Sequence, residues 1–329
     1  MCTAIYYRTD SPCFGRNLDL EYRYDERVVI TPRDFPFKYL HTTPRTDGYA
    51  MIGTATVIDG HPLYYDAANE HGLAMAGLSF AESCVFKSSE EGKIALATFE
   101  LIPYILTSCK STCEAAELLG RINLTDDKFS GSLPAAKLHF MLADADGCIV
   151  AEPLEDGFKI YENTIGVLTN EPPFDRHLAS LENYLHLSAE NPPPIFMRKA
   201  SVPLTSRGIG GVGLPGDFSS RSRFIKAAFC LSASVKKSSE AESIAQFFHI
   251  LDSVCQVEGC VAVGNSFEKT QYSSCINLTN GDFYFKTYDN PNIYKIPFKE
   301  EYRTADSLVI FPLFIEEDFA KVLQPEVFK

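Results

Sequence analysis

The chain has 329 residues, 45% hydrophobic and 22% charged, with 30 basic and 43 acidic side chains and a formal charge of −13. This is an ordinary globular composition, and an acidic balance without a long Lys/Arg cluster argues against nucleic acid and anionic membranes as partners. No stretch approaches the ~20 apolar residues of a bilayer span, and MCTAIYYRTDSPCFGR at the N-terminus lacks the order of a signal peptide, so a cytoplasmic protein is expected.

The first element of interest is Met1-Cys2. A small second residue lets the initiator Met be removed, which leaves a cysteine with both a thiol and a free α-amine. The thiolate is a strong nucleophile. An α-amine has an ordinary pKa near ~8, so it can take the thiol proton without a histidine. The plainer reading is an early buried strand residue.

Segments 4–7, 27–31 and 49–58 are rich in β-branched and aromatic residues and read as strands. Segment 61–80 reads as a further pair turning at Asn69-Glu70-His71-Gly72. Residues 97–106 are apolar enough for a buried helix, and Ser111-Thr112-Cys113-Glu114 is a capping box that opens a second. Residues 138–161 return to strands, with a turn at Asp144-Ala145-Asp146-Gly147. Leu178, Leu181 and Leu185 predict a helix over 175–187. Segments 223–231 and 239–254 read as helices, the second with its own capping box at Ser239 and Glu242. Runs 273–278 and 282–288 flank Asn280-Gly281, a strong hairpin signal.

The order is strands, helices, strands, helices, strands, with no linker or repeat. It predicts one domain over 1–329: an α+β fold of two mostly antiparallel sheets packed together and covered by helices. A parallel doubly wound sheet fits poorly. Ten cysteines in a chain without a secretion signal read as free thiols. Cys109/Cys113 and Cys255/Cys260 lack the second pair or histidine of a zinc site, so no metal is expected. Gly208-Ile209-Gly210-Gly211-Val212-Gly213 satisfies GxGxxG, but Leu214-Pro215-Gly216-Asp217 follows it in place of a helix, so it reads as a tight loop and no nucleotide cofactor is expected.

Three further segments carry chemistry. If the chain turns back near Ser11-Pro12, the strand holding Phe14-Gly15-Arg16-Asn17-Leu18-Asp19 runs beside the N-terminus. Arg16 would then sit beside Cys2 and favour its thiolate, and Asp19 would hydrogen-bond the α-amine. In isolation the two would be a surface ion pair. Asn170, after the apolar run 165–168 and before Pro172, is either a turn former or an amide donor to a developing oxyanion. Arg223, at a helix start, is either solvated or part of the site.

Taken in order, Met1-Cys2-Thr3, Phe14 to Asp19, Asn69-Glu-His-Gly-Leu73, Ala76-Gly-Leu78, Leu168-Thr-Asn170, Gly213-Leu-Pro-Gly-Asp217, Ser222-Arg-Phe224, Phe247-Phe-His-Ile-Leu251 and Thr287-Tyr-Asp289 resemble the choloylglycine hydrolase family, the bile salt hydrolases and penicillin V acylases among N-terminal nucleophile hydrolases. Each motif is weak alone and the ordered set is specific. The resemblance implies a four-layer αββα sandwich and hydrolysis of a linear amide, without metal or cofactor. Cys2 would be nucleophile and base, Arg16 and Asp19 would tune and orient it, Asn170 would donate to the oxyanion, and Arg223 would support the site. A homotetramer is implied as well. At Ser79 the chain departs from the family, where bile salt hydrolases usually carry Asn and penicillin V acylases often Tyr. In the family that position gives its backbone N–H to the oxyanion hole, a donor that Ser would keep. Phe140 stands where many bile salt hydrolases carry Trp. Stretches 16–21, 30–33 and 206–208 are similar to the bile salt hydrolases of intestinal lactic-acid bacteria, so a conjugated bile acid is the expected substrate. A penicillin V acylase is the alternative, and a non-catalytic bile-acid-binding protein is the alternative of another class.

Overall fold

The computed structural model describes residues 1–43, 47–131, 133–193, 203 and 205–315. The chain opens with β1 (Cys2–Tyr7), β2 (Cys13–Leu20), β3 (Arg27–Thr31), β4 (Met51–Ile58), β5 (His61–Asn69) and β6 (Ala74–Ser79). β7 (Ile94–Ala97) leads into α1 (Thr98–Ser108) and α2 (Thr112–Leu119), and β8 (Ile122–Thr125) returns parallel to β7. Next come β9 (Leu138–Ala143), β10 (Cys148–Leu154), β11 (Gly157–Glu162) and β12 (Val167–Leu168), then α3 (Phe174–Ser180), α4 (Ser220–Ala233) and α5 (Glu240–Asp252). The last elements are β13 (Val261–Val263), β14 (Ser266–Asn277), β15 (Phe283–Thr287), β16 (Tyr294–Ile296), α6 (Glu300–Arg303) and β17 (Val309–Pro312).

Two antiparallel sheets carry the fold. The first runs β12-β1-β2-β14-β15-β16, with β13 beside β14, and the second runs β11-β10-β9-β6-β5-β4-β3-β17. Strand periodicity sorts the core. Ala74, Ala76, Leu78, Met141 and Ala143 face inward between the sheets, whereas Met75, Phe140 and Leu142 face α1 and α2 on the outside of the second sheet. Phe224, Phe247 and Leu251 of α4 and α5 pack on the other side of the first sheet. The layers are therefore helix, sheet, sheet, helix. Each fully buried phenylalanine, such as Phe224, Phe247 or Phe283, contributes roughly 2 kcal/mol of transfer free energy.

Local signals explain many boundaries. Ser111 and Ser239 accept from the N–H groups of Glu114 and Glu242 as N-caps. Asn69 Oδ1 accepts from the His71 and Leu73 N–H groups, while its Nδ2 donates to the Leu106 and Cys109 carbonyls at the end of α1. Gly281 takes a φ of 78° in the β14–β15 turn. Gly208 and Gly213 take φ values of 80° and 94° around a single 3-10 turn, so the glycine-rich segment is a loop.

Two expectations need correction. The helix over 175–187 divides into α3 and a 3-10 turn over Leu181–Tyr184. Leu178 and Leu181 reach the core, but Leu185 is 82% exposed, so no packing sustains the helix further. β14 starts at Ser266 instead of near Ser273. Lys269 and Thr270 are drawn into strand because they pair with Leu20 and Asp19 of β2, next to the 266–268 stretch that pairs with β13, and ladder pairing outweighs polar composition there.

Candidate active site

The hairpin of β1 and β2 sets Cys2 opposite Leu18 and Ala4 opposite Arg16. Opposed residues and residues two apart share a face, so Arg16 stands diagonal to Cys2 on the face toward the second sheet. Close pairing of β2 with β14 depends on Gly15, where a Cβ would lie 2.0 Å from the Ser274 carbonyl oxygen. Cys2 is 4% exposed and Arg16 1%.

Arg16 Nη1 donates to the Gly77 carbonyl at 2.5 Å and the Tyr65 carbonyl at 3.2 Å. Tyr65 is free to accept because the β4–β5 register shifts there: Thr54 pairs with Asp66 but Ala55 pairs with Tyr64, leaving Tyr65 as a bulge. Burial opposes the Arg16 charge, but the nearby Cys2, Tyr272, Asp66 and Asp19 outweigh it and hold the guanidinium charged. Asp66 is fully buried and accepts from the Tyr272 hydroxyl at 2.6 Å and the Ser274 hydroxyl at 2.8 Å.

Asp19 is fully buried on the same strand as Arg16. Its Oδ1 accepts from the Thr270 hydroxyl at 2.6 Å, and its Oδ2 has no partner. Its backbone brackets Met1: the Met1 amine donates to the Asp19 carbonyl at 2.8 Å, and the Asp19 N–H donates to the Met1 carbonyl at 3.0 Å. Burial pushes the Asp19 carboxyl up, against Arg223 and the terminal amine. The Met1 amine is also paired with Glu268 Oε1 at 2.5 Å.

The N–H of Cys2, the atom that becomes the α-amine once Met1 leaves, donates to Asn170 Oδ1 at 2.8 Å. Asn170 thus holds the Cys2 nitrogen. Its Nδ2 donates to the Ser79 carbonyl at 3.0 Å, which joins the end of β6 to the end of β12. Ser79 is the exposed last residue of β6, at the mouth of the cluster. Arg223, in the first turn of α4 and 1% exposed, ties the group together. Its Nη1 donates to the Cys2 carbonyl at 2.5 Å and the Thr3 hydroxyl at 2.6 Å, its Nη2 to Asn170 Oδ1 at 2.7 Å, and its Nε to the Phe218 carbonyl at 3.0 Å. Burial lowers its pKa, against the charges of Asp19, Cys2 and Glu268.

Cys2, Arg16, Asp19, Asn170 and Arg223 thus form one buried cluster, with Ser79 at its edge. Glu268 and Thr270 belong to it and have no local sequence signal; they arrive with the polar half of β14. Cys13 pairs with Tyr7 at the far end of the hairpin, away from Cys2. No disulfide joins any of the ten cysteines, all of which are among the described residues. Among the described residues no group of three His, Cys, Asp or Glu side chains could hold a metal ion. A cavity of about 840 Å³, lined by Tyr6, Ile165, Tyr184, Ile225 and Leu231 among others, lies at the other end of β1 and includes none of the six residues.

Chemically, the cluster can hold a cysteine with a neighbouring amine, two fixed guanidinium groups and an amide donor. A family model described as linear amide C–N hydrolases, choloylglycine hydrolase family, matches residues 2–311. A bile salt hydrolase/transferase of Lactiplantibacillus plantarum is 42% identical over 323 residues, 98% of this chain and 100% of that protein. A crystal structure of a variant of conjugated bile acid hydrolase from Clostridium perfringens superposes with a TM-score of 0.90 at 33% identity, covering 98% of this chain and 100% of that one. Penicillin V acylase from Agrobacterium tumefaciens shares the fold, with a TM-score of 0.76 at 20% identity over 94% of this chain and 91% of that one.

Proposed function

Since the chain belongs to the choloylglycine hydrolase family of linear amide C–N hydrolases, we propose that it is a bile salt hydrolase cleaving the amide of glycine- or taurine-conjugated bile acids, with Cys2 as nucleophile after Met1 is removed. The observation that carries the proposal is the Cys2 N–H held on Asn170 Oδ1 beneath Arg223: the future α-amine already has its acceptor. Identity of 42% to a bile salt hydrolase/transferase over nearly the whole chain supports the substrate class.

In the proposed reaction the α-amine takes the Cys2 thiol proton, and Sγ attacks the amide carbonyl carbon. The Arg16 and Arg223 charges stabilise the thiolate. Negative charge moves onto the carbonyl oxygen, where the Ser79 N–H and Asn170 Nδ2 donate to it; one such donor is worth roughly 3 kcal/mol in another enzyme. Collapse breaks the C–N bond, the α-ammonium returns the proton to the leaving nitrogen, and glycine or taurine departs. Water, deprotonated by the α-amine, then attacks the thioester and releases the bile acid and the thiol. Asp19 Oδ2 and Glu268 Oε2, both without partners, are available to the α-ammonium.

The one-domain organisation over 1–329, the cytoplasmic location and the homotetramer belong to the same proposal. Light scattering at four times the 36.6 kDa chain mass supports the tetramer, and a monomer removes it. The function is tested by incubating Met1-free protein with glycocholate, taurocholate and penicillin V. Release of glycine or taurine supports the reading. Release of the acyl acid from penicillin V alone transfers it to the acylase side of the family. Bile-acid binding without any cleavage makes the chain a binding protein.

A further inference from the structure

The two proposed oxyanion donors sit on different sheets, Ser79 at the end of β6 and Asn170 beyond β12. Their relative position is therefore a matter of how the sheets are joined at that point. We propose that His139, a residue outside the cluster described above, is a positioning residue for the oxyanion hole: it fixes Ser79 and Asn170 relative to each other through their chain neighbours Phe80 and Thr169. The inference rests on the roles given above to Ser79 and Asn170.

His139 lies on β9 opposite Leu78 of β6, is fully buried, and faces the first sheet. Its ring stacks on Phe80, with centroids 4.3 Å apart and planes 8° from parallel. Its Nε2 lies 3.0 Å from the Thr169 carbonyl oxygen. A carbonyl only accepts, so Nε2 carries the proton. Nδ1 lies 3.1 Å from Glu152 Oε1, a contact that one further proton between the two atoms makes a hydrogen bond, and the same oxygen accepts from the Phe174 N–H at 2.9 Å. The Glu152 carboxyl group fixes the ring from behind, and the ring fixes both donors' neighbours in front.

The Thr169 carbonyl and the Asn170 N–H belong to one peptide group. His139 holds its oxygen, and the Ser220 hydroxyl accepts from its N–H at 2.9 Å. That plane cannot rotate without breaking one of the two bonds, so the Asn170 side chain starts from a fixed backbone. On the other side, the stack holds Phe80 and with it the peptide that follows Ser79. His177 donates to the Asn170 carbonyl at 2.8 Å and packs its ring on Phe224 of α4, whereas the His139 ring meets both Phe80 and the Thr169 carbonyl.

The test separates oxyanion geometry from thiol activation. His139→Asn keeps a donor where Nδ1 meets Glu152 and loses both the Thr169 bond and the stack; His139→Gln keeps a donor at the Nε2 position. In Met1-free protein, His139→Asn should lower kcat on glycocholate about tenfold or more, with KM held within about twofold and His139→Gln partly rescuing the loss. Alkylation of Cys2 by iodoacetamide, read on the N-terminal peptide by mass spectrometry, should stay within about twofold, because thiol activation does not use the oxyanion hole. Phe80→Leu removes the stack alone and should show the same pattern at about threefold, which keeps the test open if the His139 variants do not fold. Unchanged kcat in the folded variants overturns the proposal, as does a parallel fall of turnover and alkylation. If the wild-type chain cleaves penicillin V and no bile conjugate, the substrate reading fails while the same comparison on penicillin V still decides the role of His139.

Discussion

Arg223 Nη2 donates to Asn170 Oδ1 at 2.7 Å, and that same oxygen accepts from the Cys2 N–H at 2.8 Å. One amide oxygen thus joins an arginine on α4 to the residue after the initiator. The guanidinium makes four hydrogen bonds at once in a fully buried position. A lysine is a compact point charge and cannot reproduce that fork. Arg223→Lys is therefore expected to lower kcat/KM about 100-fold. It should also lower the unfolding free energy by about 2–4 kcal/mol, because buried acceptors lose their donor. Steady-state kinetics and urea denaturation measure the two effects, and near-normal values for both would show that the clamp is dispensable.

Cys2→Ala removes the proposed nucleophile from a tightly packed strand without touching the Asn170 contact, which uses the backbone. Turnover should fall at least about 1,000-fold, while stability changes by only about 1 kcal/mol. A folded variant that still hydrolyses the amide removes Cys2 from the mechanism.

Removal of Met1 should switch the chain on. With Met1 in place the Cys2 nitrogen is an amide and cannot accept the thiol proton, and the terminal ammonium is held by Glu268 and the Asp19 carbonyl. Protein retaining Met1, confirmed by intact mass, should be inactive, and aminopeptidase treatment should restore activity in step with the loss of one methionine. Full activity before removal contradicts the assignment of the α-amine as base.

Asn170→Asp separates packing from oxyanion donation. A carboxylate keeps an acceptor for Arg223 and Cys2 but cannot donate from the Nδ2 position, and it adds negative charge where negative charge develops. Turnover should drop at least about 100-fold, equivalent to roughly 3 kcal/mol of transition-state stabilisation, with the melting temperature little changed. Retained kcat in that variant shows that another group serves the oxyanion.

The parts of this site that were legible beforehand are those carried by local chain geometry. A turn near Pro12 places the second strand beside the first, and the resulting register sets Arg16 diagonal to Cys2. For Asn170 and Arg223 local position left a plain and a functional reading side by side, and only the ordered motif set favoured the second, since β12 and α4 meet through packing across 53 residues of separation. With Met1 in place the Cys2 N–H goes to Asn170, and Asp19 meets the N-terminus through its backbone. Glu268 and His139 had no signal at all. A glutamate in a polar run and a histidine in an apolar strand acquire meaning only when β14 and β9 are set against β2 and β6. Short β7, β8, β13 and β16 are equally silent, being held by ladder pairing and neighbouring packing more than by composition, whereas β12 falls within the apolar strand read at 165–168.

His177 gives the fold a testable pH dependence. Burial lowers its pKa from 6.5 to about 4, opposed by its hydrogen bond with the Asn170 carbonyl. It is therefore neutral near pH 7 and donates from Nε2. In the unfolded chain a histidine titrates near ~6.5. Below that pH the unfolded state takes up a proton that the folded state refuses, so stability falls as pH drops from about 6.5 toward 4 and the loss is complete below the folded value. Between pH 7.5 and 4.5 this one group should remove about 2.5 kcal/mol. His177→Gln keeps an N–H donor and does not titrate, so its stability should fall less over the same interval by about that amount. Buried carboxyls with raised pKa values, such as Asp19, Asp66 and Glu100, titrate in both proteins and cancel in the difference. Urea denaturation of both proteins at the two pH values measures it, and parallel losses in the two would mean that His177 accepts its proton without unfolding the strand end that carries Asn170.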